Sequence, residues 1–351
     1  MIEKLKDWLK SHTLWRWAIR PTLRVQLEQL NTAKPTVFYL GLPEHGNLGD
    51  QAIAKATEIY LQEQLPQHQV VRIPNYAVLP CIPLLKRIMQ PNHLIVMHGG
   101  GNLGDLWPGA ESVRRAVVKR LKKWPIIQLP QSVFFIDKQE HTLSKKCYDD
   151  ADRLVLVARE EQAHSAMQQA FTCSSMLVPD MVFTLSGRLK ELPIQREGVM
   201  VLFRHDVEKL YNDNVRDSVI DQLGDLFDRV TVTDTVLPTG VPLDQRDDVL
   251  IRFWRQMAKH ELVVTDRLHG MIFGLITQTP TVALLNNNGK IISTFETWLQ
   301  SVPWIKVWAP TDGPLEVAIV DVMRAPVAPV DFSRQFRPLN FYLANFRKGE
   351  E

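Results

Sequence analysis

The sequence is poor in cysteine and has no long apolar run. Its 351 residues include three cysteines, Cys81, Cys147 and Cys173, and their spacing matches neither a disulfide framework nor a metal-ligand motif. A sparse, odd set of cysteines is typical of a reducing compartment. No apolar run reaches the roughly 18 residues that a membrane-spanning helix needs. The first residues mix tryptophan with charge and do not resemble a secretory signal. These absences predict a cytoplasmic protein.

The sequence also lacks an excess of either charge sign. It has 41 basic and 39 acidic residues, a formal net charge of +2, and no long basic run of the kind that nucleic-acid-binding proteins present. Apolar residues make up 45% and charged residues 23%, which is typical of a soluble globular protein rather than a disordered one. The sequence therefore predicts a folded protein without a nucleic-acid partner, and its length suggests two domains.

Short apolar runs that suit buried strands alternate with Gly-rich loops and helical patterns. Thr36–Leu42 and His93–Met97 are each followed by a Gly-rich loop and then by apolar residues at helical spacing. The alternation begins again at Val199–Phe203 and ends at Thr281–Leu285. Such alternation favours parallel sheets that are covered by helices on both faces. The sequence therefore predicts an α/β fold with two Rossmann-like domains that face a central cleft.

The domain boundaries are predicted from the same patterns. Residues 1–33 are predicted to form amphipathic helices, 34–187 the first Rossmann-like domain, 188–198 a polar linker, 199–324 the second domain, and 325–351 a tail that packs back on the first domain. Ligands of open parallel sheets bind beyond the carboxyl ends of the strands. The loops at those ends are therefore expected to carry the function.

Residues 1–30 combine basic and apolar side chains. Six basic residues stand against three acidic ones, and leucine and tryptophan can form an apolar stripe on a helix. Such a helix can lie on an anionic membrane surface. Alternatively, it packs on the first domain of the protein itself. We expect weak, salt-sensitive, peripheral contact with the inner face of the cell membrane.

Two loops contain the same five residues, Gly-Asn-Leu-Gly-Asp, at positions 46–50 and 101–105. Each is expected to follow a strand and open a helix, where glycine lets backbone amides approach a ligand and the helix N-terminus favours acceptors. The Asn and Asp side chains could bind sugar hydroxyls, and a nearby tryptophan could stack on a sugar ring. Alternatively, the Asn and Asp side chains form turns and cap helices. The candidate substrate-binding residues here are Gly46, Asn47, Asp50, Gly100, Gly101, Asn102, Asp105 and Trp107.

A second group of chemically capable residues lies in the segment Thr265–Gly270, which joins a predicted strand to a helix. Arg267 is a permanent cation and His269 a titratable imidazole, and both lie near a helix N-terminus. Together these suit an anionic substrate that must exchange protons. Arg204 ends an earlier strand and is expected at the same sheet edge. Alternatively, Arg267 pairs with Asp266 or another carboxylate, Arg204 forms a surface salt bridge, and His269 caps the helix.

The order of these motifs resembles that of the polysaccharide pyruvyl transferases, over roughly residues 36–300. The first loop, the Gly-Gly-Gly-Asn loop and the Arg-Leu-His-Gly segment follow one another in the family's order. Further matches are Arg159-Glu160 with Ser165 downstream, Pro179-Asp180, Arg204 with Asp206, and Lys290 after the last predicted strand. His98 and Asn286–Gly289 depart from the family pattern. The resemblance implies a GT-B-like pair of Rossmann-type domains.

The same resemblance implies a transferase that moves the pyruvyl group of phosphoenolpyruvate onto a sugar as a ketal. It implies that Arg204, Arg267 and His269 are catalytic at a phosphoenolpyruvate site in the second domain, with Leu268 and Lys290 binding substrate. The first domain would bind the acceptor, a sugar or lipid-linked oligosaccharide of an exopolysaccharide, capsule or cell-wall glycan. We expect no cofactor beyond the donor substrate and no metal, because the arginines can neutralise the charge of the donor.

Two other functions fit part of the sequence. A GT-B glycosyltransferase or a sugar-nucleotide epimerase would share the two-domain fold but would bind a nucleotide, and no uracil-pocket motif is visible. A non-catalytic glycan-binding or assembly protein would account for the tryptophans. It would not account for an arginine and a histidine at the end of a strand.

Overall fold

A computed structural model describes residues 19–189, 195–206 and 208–348. The described strands are β1 (Thr36–Leu42), β2 (Gln69–Pro74), β3 (His93–Met97), β4 (Gly100–Gly104), β5 (Ile126–Phe134), β6 (Leu154–Ala158), β7 (Ser174–Leu177), β8 (Val199–Leu202), β9 (Val230–Thr233), β10 (Leu262–Thr265), β11 (Thr281–Leu284) and β12 (Ile305–Trp308). The described helices are α1 (Pro21–Glu28), α2 (Leu48–Gln64), α3 (Asn75–Ile88), α4 (Pro108–Leu121), α5 (Lys138–Asp149), α6 (Glu161–Ala170), α7 (Asp213–Leu226), α8 (Arg246–Ala258), α9 (Leu268–Thr277), α10 (Lys290–Thr294), α11 (Leu315–Arg324) and α12 (Arg337–Lys348).

Seven of the described strands form one parallel sheet. Its order is β2-β1-β3-β5-β6-β7, and β4 pairs with β5 beside this path. The central strands β3 and β6 are buried at every position, which is the pattern of a parallel sheet covered on both faces. The apolar runs of the sequence therefore form the core of this sheet, as the α/β prediction requires.

The other five described strands form a second parallel sheet with the order β12-β11-β10-β8-β9. The strands β8, β10 and β11 are again buried throughout. The chain adds β9 on one side of β8 and then β10 on the other, so the strand order reverses between β8 and β10. A crevice forms outside the carboxyl ends of the strands at such a reversal, and it is where open parallel sheets bind ligands.

The chain divides into two compact units that are not continuous in sequence. The first contains the described residues of 1–44, 57–180 and 336–351, and the second those of 45–56 and 181–335. This division differs from the predicted boundaries. Residues 45–56 belong to the second unit, because the backbone of the first Gly-Asn-Leu-Gly-Asp loop pairs with residues 235–237.

The predicted tail is also divided between the units. In the first unit, the hydroxyl of Tyr60 donates to Asn340 at 2.5 Å and its ring contacts Phe336. In the second unit, the Ser186 hydroxyl donates to the carbonyl of Val330 at 2.7 Å. Residues 190–194 of the predicted linker and residues 1–18 of the predicted N-terminal helices lie outside the described residues. None of the described helices is both long enough and apolar enough to cross a membrane.

Candidate active site

Two arginines follow neighbouring strands of the second sheet and bind the same carboxylate. Arg204 follows β8 and Arg267 follows β10, and these two strands pair directly. Arg204 Nε donates to Oδ1 of Asp206 at 2.8 Å, and Arg267 Nη1 donates to Oδ2 at 2.5 Å. The arginine side chains are only 7% and 9% exposed. The structure thus brings Arg204 and Arg267 together at the switch point, and such burial does not fit a surface salt bridge for Arg204.

Each arginine also binds a second carboxylate. Arg267 forms a two-pronged pair with Asp234 through Nε at 2.8 Å and Nη2 at 2.7 Å. Arg204 Nη2 lies 2.6 Å from Glu208, which also accepts from Lys290 Nζ at 3.0 Å. Lys290 is buried, at the start of α10, and β12 follows it, so it does not come after the last strand as predicted. The charges alternate in the order Asp234, Arg267, Asp206, Arg204, Glu208 and Lys290.

The neighbouring cations lower the pKa of two carboxyl groups of this network, Asp206 and Glu208. Burial alone would raise the pKa of Asp206, but the hydrogen bond from Arg204 and the charge of Arg267 outweigh it and lower the pKa from 3.8 to about 2. Burial likewise opposes the lowering of the Glu208 pKa, which the charges of Lys290 and Arg204 nevertheless produce. Ionised carboxylates on both sides fix the orientation of the guanidinium groups.

The segment Thr265–Gly270 owes its local structure to a threonine and a glycine. The Thr265 hydroxyl donates to the carbonyl of Leu202 at 2.9 Å and accepts from the amide of Arg267 at 3.0 Å. A Cβ on Gly270 would lie 2.2 Å from this hydroxyl oxygen, so only glycine lets α9 begin directly against the strand end. Leu268, a predicted substrate-binding residue, is the first residue of α9, and its side chain is buried.

Asp266 joins the loops that follow β8 and β10. Its Oδ1 accepts from the backbone amide of Arg204 at 2.8 Å, and its Oδ2 lies 3.3 Å from Nη2 of Arg216. Burial raises the pKa of this carboxyl, although the Arg204 amide and the neighbouring arginines act in the opposite direction. The sequence left open that Arg267 pairs with Asp266 or with another carboxylate, and the structure shows the second possibility, because Arg267 binds Asp206 and Asp234.

His269 lies in the first turn of α9 and is half-buried against the first Gly-Asn-Leu-Gly-Asp loop. Gly49 faces the imidazole so closely that a Cβ there would lie 2.3 Å from Nδ1. On its other side the ring lies near Phe273, with 6.0 Å between the ring centroids. The structure therefore places His269 with the two arginines at the edge of the second sheet. The first Gly-Asn-Leu-Gly-Asp loop, which the sequence analysis assigned to the acceptor side, lies against His269.

The polar side chains of this first loop bind the loop itself. Asn47 Oδ1 accepts from the amide of Gly49 at 3.0 Å, and its Nδ2 donates to Asp50 at 2.9 Å. The carbonyl of Gly46 accepts from the amide of Leu237 at 2.8 Å. These bonds correspond to the turn-forming and capping alternative for Asn47, at the start of α2.

The second Gly-Asn-Leu-Gly-Asp segment forms a strand, so the prediction that it opens a helix is wrong. Gly100–Gly104 is β4, and the next helix begins only at Pro108. Gly100 and Gly104 have φ values of 136° and 123°, and a Cβ on Gly104 would lie 1.8 Å from the carbonyl oxygen of Phe134. Glycine is required because β4 approaches β5 this closely. Gly101, another predicted ligand-binding glycine, lies within the same strand.

The side chains of the second segment take part in internal bonds. Asn102 Oδ1 accepts from Arg114 Nη2 at 2.5 Å and from Gln131 Nε2 at 3.2 Å. Asp105 Oδ2 accepts from the backbone amide of Ile136 at 2.7 Å. Trp107, by contrast, is 44% exposed just before α4. Trp107 is thus the residue of this segment that presents a large surface to a ligand.

Sequence reasoning missed the buried ionic cluster under β4. Glu111 is fully buried and accepts from Arg114, from the Tyr148 hydroxyl at 2.5 Å, from the Ser144 hydroxyl at 2.5 Å and from the amide of Gly104 at 3.2 Å. The sequence signal for this cluster is a Glu and an Arg that lie three residues apart on the apolar face of a predicted helix. Buried charges are normally paired, so that spacing could have predicted the pair.

Among the residues described, no group of three or more His, Cys, Asp or Glu side chains is arranged to hold a metal ion. The expectation of chemistry without a metal or a further cofactor stays a prediction. The positive charges of the carboxylate network come from side chains already described, Arg204, Arg267 and Lys290.

The comparison with known families identifies the family of the chain. The family model described as polysaccharide pyruvyl transferase matches residues 47–288, which is more than half of the chain. The chain belongs to the polysaccharide pyruvyl transferase family. The predicted family is therefore confirmed, and so is the prediction of a transferase enzyme.

Two relatives of known sequence show how far the similarity extends. The chain is 34% identical to general stress protein 30 of Bacillus subtilis, over 92% of this chain and 95% of that protein. It is 29% identical to pyruvyl transferase 1 of Schizosaccharomyces pombe, over 75% of this chain and 69% of that one. The similarity thus extends beyond the motifs of the candidate site to most of the chain.

A solved structure shares the fold. The UDP-GlcNAc 2-epimerase of Methanocaldococcus jannaschii aligns with a TM-score of 0.52 and 11% identity, over 88% of this chain and 99% of that one. At this identity the likeness concerns the fold alone. Together with the two parallel sheets, it confirms the predicted α/β fold class with Rossmann-like halves.

Proposed function

We propose that the protein transfers the pyruvyl group of phosphoenolpyruvate to a sugar of an exopolysaccharide, capsule or cell-wall glycan precursor. The observation that carries this proposal is the convergence of two buried guanidinium groups on one carboxylate at the switch point. Phosphoenolpyruvate bears a phosphate and a carboxylate, and the planar fork of arginine binds both kinds of anion. The name of the Schizosaccharomyces pombe relative supports the same reaction class.

The arginines would bind the donor without losing their carboxylate partners. Arg267 has five N–H donors, and three of them bind Asp234 and Asp206 in this structure. The phosphate or carboxylate of the donor would accept from the others, or would take the place of Asp206 between the two guanidinium groups. Lys290 adds a third cation within the same network.

The proposed reaction joins two hydroxyl groups of the sugar to the central carbon of phosphoenolpyruvate. The methylene carbon gains a proton and becomes a methyl group, while the first hydroxyl oxygen loses its proton and bonds to the central carbon. The bond from that carbon to the phosphate oxygen then breaks, and phosphate leaves. The second hydroxyl oxygen bonds in its place and releases its proton to the medium. The products are a pyruvate ketal and inorganic phosphate.

In this scheme each of the clustered residues has a distinct part. The arginines stabilise negative charge on the departing phosphate. His269 gives the proton to the methylene carbon or to the leaving phosphate, since imidazole exchanges protons near neutral pH. We propose that the arginines supply the positive charge that neutralises the donor, without a metal. We also propose that the enzyme acts in the cytoplasm and that its acceptor is a sugar or a lipid-linked oligosaccharide.

Donor binding and turnover can be measured separately. We expect phosphoenolpyruvate to raise the melting temperature of the wild-type protein, because a ligand of the folded state stabilises it. Arg204→Lys and Arg267→Lys should abolish most of this shift, since lysine lacks the planar fork. His269→Gln should keep the shift but lose about 10²–10⁴-fold in ketal formation, measured by NMR of the pyruvylated glycan.

The exposed Arg252, on α8, supplies a matched control, because Arg252→Lys should leave both measurements unchanged. A wild-type protein that is stabilised by UDP-sugars and not by phosphoenolpyruvate would favour the glycosyltransferase or epimerase alternative. Retention of near wild-type donor binding in both arginine variants would move the donor site elsewhere.

A further inference from the structure

The first Gly-Asn-Leu-Gly-Asp loop packs on the ring of His269. A Cβ on Gly49 would lie 2.3 Å from Nδ1, 2.6 Å from Cγ and 3.0 Å from Cβ of His269. Non-bonded carbon and nitrogen atoms prefer separations of about 3.5–4.0 Å. Glycine is therefore the residue that allows the imidazole to occupy its observed position.

The backbone around Gly49 is fixed from several directions, so it cannot easily move away from the ring. The amide of Leu48 donates to the carbonyl of Thr235 at 2.8 Å. Gln51 Nε2 donates to the carbonyl of His45 at 2.9 Å, and Gln51 Oε1 accepts from Nε of Arg246 at 3.0 Å.

The residues next to these hydrogen bonds are also constrained. Arg246 is only 2% exposed. A Cβ on Gly46 would lie 2.2 Å from the carbonyl oxygen of Leu237, so the loop is in close contact with that backbone as well. Because the loop backbone is fixed, a methyl group added at Gly49 displaces the imidazole of His269 rather than the loop.

We propose that Gly49 is a positioning residue for His269, and that the first loop serves proton transfer at the donor site rather than acceptor binding. The proposal rests on the function proposed above for His269. Asn47 and Asp50 then keep the loop rigid through their mutual bond, and their amide and carboxylate groups need not touch a sugar. The loop matters because it limits the orientations that the imidazole can adopt.

A double-mutant cycle tests the proposal. Gly49→Ala should lower kcat by about 10²-fold or more, as the loss of a general acid does, with little change in the KM for phosphoenolpyruvate. In the His269→Gly background both the ring and its Cβ are absent, so Gly49→Ala should cost less than about twofold in addition. Non-additive effects of this kind on kcat indicate that two residues act through one another. Additive losses in the two backgrounds would overturn the proposal.

Gly224 supplies the matched control, because it is a helical glycine of the same unit with nothing within 4 Å of the added Cβ. Gly224→Ala should change kcat by less than about twofold, since it introduces no clash. If Gly49→Ala fails to fold, the Gly49→Ala/His269→Gly double variant should fold again. Failure of the double variant as well would show that the ring is not what the added methyl group meets.

A measurement without turnover separates this proposal from the proposed function. In histidine-labelled protein, the His269 ring resonance, assigned by its loss in His269→Gln, should shift in Gly49→Ala and not in Gly224→Ala. An unchanged His269 resonance in Gly49→Ala would overturn the positioning role even if the enzyme is active. If Gly49→Ala shifts this resonance while the wild-type protein makes no ketal, the proposed reaction is refuted and the contact between Gly49 and His269 still holds.

Discussion

Asp206 illustrates how single residues set the properties of this site. Its carboxylate lies between Arg204 and Arg267, and its pKa of about 2 is well below the ordinary value of 3.8. A carboxyl whose pKa is lower in the folded than in the unfolded state stabilises the fold at pH values above the unfolded pKa. That stabilisation is lost as the pH falls through the folded pKa.

Asp206→Asn should therefore remove stability that is present at pH 5 and mostly lost near pH 2. Denaturant unfolding at several pH values measures it as the difference between wild type and variant. The difference should be constant above about pH 5 and should shrink as the pH falls towards about 2, where half of the wild-type carboxyl is protonated. A difference that is independent of pH in this window would show that the two arginines do not stabilise the ionised carboxylate.

At the residue scale, the sequence predicted that Arg204 and Arg267 lie at one sheet edge, but it did not identify the carboxylates that join them. A strand-to-helix junction with Arg, His and Gly was enough to single out Arg267 and His269. Their partners Asp206 and Asp234 lie on other loops, and no local pattern pairs them with Arg267. The contact of Gly49 with His269 joins residues 220 positions apart in the sequence, and only the fold reveals it.

At the scale of elements, the buried pair Glu111–Arg114 supports β4. Arg114 Nη1 donates to the carbonyl of Asn102, and Glu111 accepts from the amide of Gly104, so both charges hold the backbone of this strand. Burial would raise the pKa of Glu111, yet the charge of Arg114 and the hydroxyl donors keep it lowered. The strand itself has four glycines or asparagines among its five residues, so little else favours an extended structure.

Glu111→Gln should accordingly destabilise the protein by about 3–5 kcal/mol, because it leaves the buried Arg114 guanidinium without its counter-charge. Denaturant-induced unfolding at neutral pH measures the loss. Asp150→Asn removes the partner of Lys122 in an exposed pair and should change stability very little. Equal effects of the two substitutions would contradict a special role of the buried pair.

Periodicity predicted the regular elements better than the irregular ones. The strands β1, β3, β8 and β11 were predicted within a residue or two, because they are short apolar runs. β4 was missed because its glycines suggest a loop, and β12 because it is short and contains Lys306. Helix α3 was missed because Pro80 and Pro83 lie inside it, where proline normally disfavours a helix.

At the scale of the whole molecule, the charge of residues 1–30 leads to a binding prediction. We expect the full-length protein to co-sediment weakly with anionic phospholipid vesicles at low salt, through the six basic residues of this stretch. Binding should disappear at about 1 M salt, where the Debye length is about 3 Å. Zwitterionic vesicles and the variant Lys4→Glu/Lys6→Glu are the controls. The absence of low-salt binding by the wild-type protein would rule the contact out.

The α/β class of the whole chain could be predicted from sequence, but the membership of its two units could not. Alternation of apolar runs with glycine-rich turns is a local signal, and it located the Rossmann-like halves. The assignment of residues 45–56 depends on backbone bonds to Thr235 and Leu237, about 190 positions away. Such pairings have no local signature, so the predicted boundary at residue 34 grouped this loop with its sequence neighbours.

The discontinuous second unit has a consequence for the order of events on the ribosome. Residues 45–56 leave the exit tunnel long before residues 181–335, with which they pack. The loop that contacts His269 must therefore wait, unpaired, until Thr235 and Leu237 have been synthesised. Contacts of such high sequence separation form slowly, because closing a long loop costs chain entropy before the contact is gained. The contact between Gly49 and His269 can form only once residue 269 has been synthesised, so a nascent chain that is truncated before it cannot assemble the site.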